Sequence, residues 1–151
     1  NNGFQIVQSE DHVAIVYERL HEHRLIPLDG RPHLNADVRQ WFGDSRAHWE
    51  DDTLVVETRN FGEDVNFRGA TNGLHLVERF TRVDEETVSV KFTVSDPSTF
   101  TRDWTVVVNA KNDPSYWQIF EYACHEANYG MFHILSGARA EDAEAAASGS
   151  R

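Results

Sequence analysis

The sequence predicts an all-β fold built as an antiparallel meander, and three observations predict it. Apolar and polar residues alternate with period two along several stretches, the pattern of half-buried strands. Three acidic tripeptides, Ser9-Glu10-Asp11, Glu50-Asp51-Asp52 and Asp84-Glu85-Glu86, separate consecutive stretches and read as hairpin turns. Only one short internal segment reads as a helix.

The clearest strand is 87–95, where Val88, Val90, Phe92 and Val94 point one way and Thr87, Ser89, Lys91 and Thr93 the other. Leu74, Leu76 and Phe80 share a face in the same manner, with Glu78 among them. Trp104, Val106 and Val108 alternate with Thr105, Val107 and Asn109. Further strands are expected at 4–8, 12–20, 24–28, 47–50, 53–58 and 117–124, which gives eight or nine in all. A meander this long tends to close and so remove its edges. The expected architecture is therefore a lipocalin-like (calycin-like) β barrel, with a two-sheet sandwich as the alternative. The short helix is expected at 35–42, with Asn35 as its cap, Pro32 before it and Gly43 ending it. From Gly137 the chain is rich in Ala and Glu and reads as a frayed helix or disordered tail. One domain, residues 1–136, with a tail, 137–151, accounts for the whole chain.

At 151 residues with 40% hydrophobic content the chain can bury one core without staples. Its formal charge of −11 argues against a nucleic-acid partner and against anionic membrane surfaces, which need clustered basic residues. No apolar run reaches the roughly 18–20 residues that span a bilayer, so membrane insertion is not expected. The chain opens Asn1-Asn2-Gly3 without an initiator Met, which reads as a processed or excised piece. Cys124 is the single cysteine, read on its own as a buried apolar thiol, with half of a bridge as the other reading.

Four stretches carry a family resemblance. They are Asp44-Ser45-Arg46-Ala47-His48-Trp49-Glu50-Asp51-Asp52-Thr53-Leu54-Val55-Val56-Glu57-Thr58, Leu28-Asp29-Gly30-Arg31-Pro32-His33, Leu74-His75-Leu76-Val77-Glu78-Arg79-Phe80 and Tyr122-Ala123-Cys124-His125-Glu126. Together the chain resembles an abundant family of exported bacterial proteins, common in soil bacteria, that has no assigned activity. Members of that family carry a signal peptide and an N-terminal segment with a pattern like Asp-Leu-Ser-Gly-x-Trp, followed by a stretch with a cysteine. The resemblance implies that this chain corresponds to the C-terminal half, that its location is periplasmic or extracellular, and that Cys124 pairs with the preceding segment. The chain departs from the family pattern at Asp51 and Ala127, where Gly is usual, and at His23, where the family has an unrelated residue.

Several constellations can carry chemistry. In His21-Glu22-His23, two imidazoles on a strand would project to one side and grip a divalent metal such as zinc or copper, with a third ligand from His75, His125, His133 or Glu78. The bland reading is a hydrated hairpin with exposed histidines. Glu78, on an apolar strand face, is a candidate general acid or base, or the acidic half of a buried ion pair with Arg24, Arg46 or Arg79. Arg79 faces opposite to Glu78 and is the least suited of the three. His75 and His125 are candidate proton shuttles, or members of hydrogen-bonded clusters at strand ends. Tyr17, Arg24, Arg46, Trp49 and Tyr122 are candidate ligand-binding residues, and the four Trp residues (Trp41, Trp49, Trp104 and Trp117) read either as stacking surfaces for a sugar or another flat ligand or, the reading favoured, as core packing. Tyr17, His21, Arg24, Glu78 and His125 are expected to converge inside the barrel or at its mouth. No Gly-x-Ser-x-Gly elbow, phosphate loop or His-Glu-x-x-His helix is present. Asp44-Ser45-Arg46 reads as a strand-entry turn.

The expected function is a periplasmic or secreted small-molecule-binding domain. The alternatives are an isomerase, lyase or hydrolase using a Glu/His acid–base pair in the cavity, a protein with a His-ligated zinc or copper site, and a structural half of a larger assembly. The expected partners are a small-molecule ligand and either a missing N-terminal segment or a second subunit.

Overall fold

The computed structural model describes residues 2–64, 67–115, 118–123, 125–126 and 128–148. Residues 1–120 and 121–151 form two compact units. The first is mostly β. Its strands are β1 (Phe4–Gln8), β2 (His12–Tyr17), β3 (His23–Pro27), β4 (Asp44–Glu50), β5 (Thr53–Arg59), β6 (His75–Arg82), β7 (Thr87–Ser95) and β8 (Trp104–Lys111). They form two antiparallel sheets, ordered β1-β2-β3 and β4-β5-β6-β7-β8. Neither sheet closes on itself among the described residues, and no ladder joins β3 to β4.

Alternation sets the registers. Val56 pairs with Glu78, and Glu78 with Phe92, so one face of the larger sheet carries Leu54, Val56 and Thr58 beside Leu76, Glu78 and Phe80. Val13 and Ile15 of β2 and Ile26 of β3 pack against Ala47, Leu54, Val56, Phe80 and Val90 in one core that joins the two sheets. Each of the Val, Ile, Leu and Phe side chains, fully removed from water, contributes about 1.5–3 kcal/mol. A second cluster at the other end of the larger sheet gathers Phe61, Ala70, Leu74, Leu76 and Val94.

The three acidic turns lie where alternation puts them, between β1 and β2, β4 and β5, and β6 and β7. Asp51 takes a left-handed φ of 49°, a conformation that Asp tolerates better than most side chains. Strand β4 starts at Asp44, so Asp44-Ser45-Arg46 is part of the strand and not a turn before it. Strand β2 ends at Tyr17, short of residue 20, because Leu20 and His21 adopt left-handed φ values of 60° and 55° in a 3-10 turn spanning Arg19–His21.

The expected helix at 35–42 does not form. Asn35 does start a turn, its Oδ1 accepting from the Asp37 amide at 3.2 Å and its carbonyl from Val38 at 2.8 Å. The next backbone groups are then drawn away. The Gln40 amide donates to the Asn60 carbonyl at 3.0 Å, and the Gly62 amide to the Gln40 carbonyl at 2.8 Å, in a parallel bridge between Gln40 and Phe61. Residues 118–123 carry no strand where one was expected; Trp117 and Cys124, the ends of that stretch, lie outside the described residues, as does Ala127. In the second unit one helix, α1 (Gly130–Ser148), begins seven positions before Gly137 and buries none of its residues. No helix among the described residues is long and apolar enough to cross a membrane.

Asp96, at the end of the β7 ladder, ties two loops together. Its carboxylate accepts from the Thr71 amide (2.6 Å) and hydroxyl (2.9 Å), from the Ser98 amide (3.1 Å) and hydroxyl (2.6 Å), and from the Thr99 hydroxyl (3.1 Å). Donation from Ser98 and from the Thr71 amide outweighs burial and holds this carboxyl well below the usual carboxylate range. The folded-state value is depressed, so its stabilisation is complete above the unfolded-state value, about pH 4, and is lost as the pH falls toward the folded-state value. Asp96→Asn is therefore expected to unfold at lower urea than the native chain at pH 7, with the difference shrinking between pH 4 and pH 2. An equal difference at all three pH values would assign the effect to shape and not to charge.

Candidate functional site

The inner face of the larger sheet and the end of β3 bring together a small polar group. Arg24, on β3, reaches toward β4 and β5. Its Nη2 donates to Ser45 Oγ at 3.0 Å and to Thr58 Oγ1 at 2.9 Å, and its Nη1 to the Tyr17 hydroxyl oxygen at 3.4 Å. Ser45 and Thr58 are opposite each other in the β4–β5 register and bond to one another at 2.9 Å. Glu78 Oε2 lies 2.6 Å from Arg24 Nη2, with the two side chains 4% and 9% exposed. The two form a close, buried ion pair, and no other donor reaches Oε2 among the described residues. Arg24 Nε is also buried without a partner.

Electrostatics follow from this burial. Loss of water is the largest single influence and opposes the charge on Arg24, but attraction to Glu78 and hydrogen bonding with Glu78 and Tyr17 together outweigh it, and the guanidinium holds its proton more firmly than a free one. Burial pushes the Tyr17 phenol up, and the opposed effects of Arg24 and Glu78 do not reverse this. Tyr17 is thus a neutral hydroxyl at physiological pH.

Tyr17 and Arg24 line a cavity of about 290 Å³ whose other walls are Trp41, Phe42, Phe61, Asp64, Phe67, Leu74 and Leu76. Two irregular segments supply the aromatic walls, and hydrogen bonds fasten one to the other. Besides the Gln40–Phe61 bridge, Arg39 Nη1 donates to the Phe61 carbonyl at 3.2 Å and to the Asn72 carbonyl at 3.0 Å. Phe67 stacks on Trp104 with ring centroids 6.3 Å apart. Phe61, Leu74 and Leu76 are buried, whereas Trp41 is 64% exposed and stands at the opening.

Of the sequence-predicted residues, Tyr17, Arg24 and Glu78 come together here. His75 does not join them. It lies on the opposite face of β6, with Nε2 2.7 Å from Glu57 Oε1. Arg46 is on that outer face too, donating to Asp44 Oδ1 and to the Pro32 carbonyl. Next to them His33 Nδ1 meets Asp44 Oδ2 at 3.0 Å. Trp49 is exposed near the β4–β5 turn and lines a shallow acidic depression with Asp51, Asp52 and Asp84. His21 and His23 do not share a strand face: His21 belongs to the 3-10 turn and His23 opens β3, both exposed. Among the described residues no group of three or more His, Cys, Asp or Glu is placed to hold a metal. Tyr122 and His125 belong to the second unit, half-buried and exposed respectively.

Sequence reading offers Trp41 as a stacking residue or a core residue but misses Ser45, Thr58 and the walls made by Phe42, Phe61 and Phe67. Thr58 has a signal, since it continues the inward face of Leu54 and Val56. Trp41, Phe42, Phe61 and Phe67 lie outside the strands, where no period reports which way a side chain turns. Comparison of the chain with protein-family models, curated proteins and solved structures returns no match.

Proposed function

We propose that this protein is a small-molecule-binding β domain whose ligand, compact and mostly apolar, sits in the cavity between Trp41, Phe61 and Leu74. The observation that carries this reading is the pairing of aromatic and aliphatic walls with one buried guanidinium, in a hollow of about 290 Å³. That size is near the small end of the pockets that take organic ligands, and an apolar lining with a few fixed polar groups is their usual make-up. Binding is better supported than acid–base catalysis, because Glu78 is committed to Arg24 and does not line the cavity.

The container is read as a lipocalin-like barrel left incomplete. Its two sheets share one core, and Arg24 links β3 to Ser45 and Thr58 across the seam that no ladder closes. On the other side, the edge strand β1 and the ends of β7 and β8 line a common cleft. The family resemblance supports a periplasmic or extracellular location.

Titration calorimetry with 2-naphthol, a flat neutral probe, tests the reading. Saturable binding at one site is expected, with affinity falling about tenfold in Trp41→Ala, a change of about 1.4 kcal/mol at an exposed position that leaves the fold intact. Absence of binding, or binding untouched by the loss of Trp41, would count against this cavity as the site.

A further inference from the structure

The same cavity also indicates what kind of polar group its ligand carries; this inference rests on the binding reading above. Counting protons at the polar end decides it. The Tyr17 hydroxyl oxygen already accepts from Arg24 Nη1, at 3.4 Å, and its own hydrogen has no acceptor among the described residues. Arg24 spends Nη2 on Ser45 and Thr58 and one of the two Nη1 hydrogens on Tyr17, and the other Nη1 hydrogen has no acceptor among the described residues. Both side chains line the cavity. Its polar end therefore has hydrogens to give, from a neutral phenol and a guanidinium, and the walls beyond are apolar.

A group that only accepts is the complement of such an end, because a buried donor left unpaired loses its bonds to water and gains none in return. Charge then narrows the class. Glu78 stands 2.6 Å from Arg24 and balances it, and Asp64 on the wall adds a further negative charge. A carboxylate entering this space meets a net negative surrounding, whereas a carbonyl oxygen accepts both hydrogens and carries no charge. We propose that the cavity selects neutral carbonyl compounds with a flat apolar body, such as aryl ketones, with Tyr17 and Arg24 as the specificity-determining pair.

Three probes of nearly one shape test this: acetophenone, isopropylbenzene and benzoate. Calorimetric titration is expected to give acetophenone an affinity about tenfold above each of the others, a difference of about 1.4 kcal/mol that two hydrogen bonds to the carbonyl would supply. Tyr17→Phe is expected to lower acetophenone affinity about fivefold and leave isopropylbenzene unchanged. The carbonyl stretch of bound acetophenone is expected to move to lower frequency than in hexane, a readout that needs no variant should Tyr17→Phe fold poorly. Equal affinity for isopropylbenzene and acetophenone, or tightest binding of benzoate, would overturn the carbonyl assignment and leave a binding cavity in place. Failure of all three probes together with 2-naphthol would remove the binding reading itself.

Discussion

Glu78→Leu is expected to cost about 3–5 kcal/mol of folding stability, the largest loss from any single polar substitution in this chain. The reason is what remains behind. Arg24, 9% exposed and 2.6 Å from Glu78 Oε2, would keep its charge with nothing to balance it. Combining Arg24→Met with Glu78→Leu removes both charges and substitutes apolar volume. Ser45 and Thr58 then still have each other at 2.9 Å, so neither hydroxyl is orphaned. The double variant is expected to recover to within about 1 kcal/mol of the native chain or to exceed it, as paired replacements of buried ions often do. Urea unfolding of the native chain and the two variants at pH 7 checks both statements. A Glu78→Leu loss under about 1 kcal/mol would mean that water reaches the pair.

Gly43→Ala is expected to cost about 3 kcal/mol, from two separable sources. Gly43 has a φ of +70°, where a side chain costs about 1–2 kcal/mol. An added Cβ would also lie 2.7 Å from the Arg59 carbonyl oxygen and 2.7 Å from Thr58 Cγ2, an overlap that costs about 1–3 kcal/mol more. Gly30 provides the control. Its φ is +71° and a Cβ there meets nothing within 4 Å, so Gly30→Ala is expected to show the conformational cost alone. The difference between the two unfolding free energies then measures the close approach at Gly43. Equal losses at both positions would mean that the chain around Gly43 moves aside freely.

The strands are legible in the sequence because each is a local alternation with a turn at its end. Residues 87–95 and 53–58 need no other information, and the inward direction of Glu78 follows from Leu76 and Phe80. The failed helix at 35–42 is instructive in the same terms. Asn35 and Gly43 carry real boundary signals, one starting a turn and the other reversing the chain, but the segment between them is claimed by the backbone of 60–62. Local propensity is weak enough for a distant partner to override it. Closure into a barrel is likewise a long-range matter, decided where β1, β3, β4 and β8 meet or fail to meet, and no residue pattern reports it. The polar end of the cavity is half legible: Tyr17 and Arg24 sit on strands, whereas the rings that make it a cavity come from loops.

The seam between the two sheets differs in kind from the ladders within them. Adjacent strands joined by a ladder stay at a fixed spacing of about 4.8 Å, and widening them breaks many amide bonds together. Between β3 and β4 that constraint is missing, and the span is bridged by a single arginine arm with its two hydroxyl partners. The two sheets can therefore shift against each other along this seam through rotamer changes in one side chain, without rupture of the backbone pairing in either sheet.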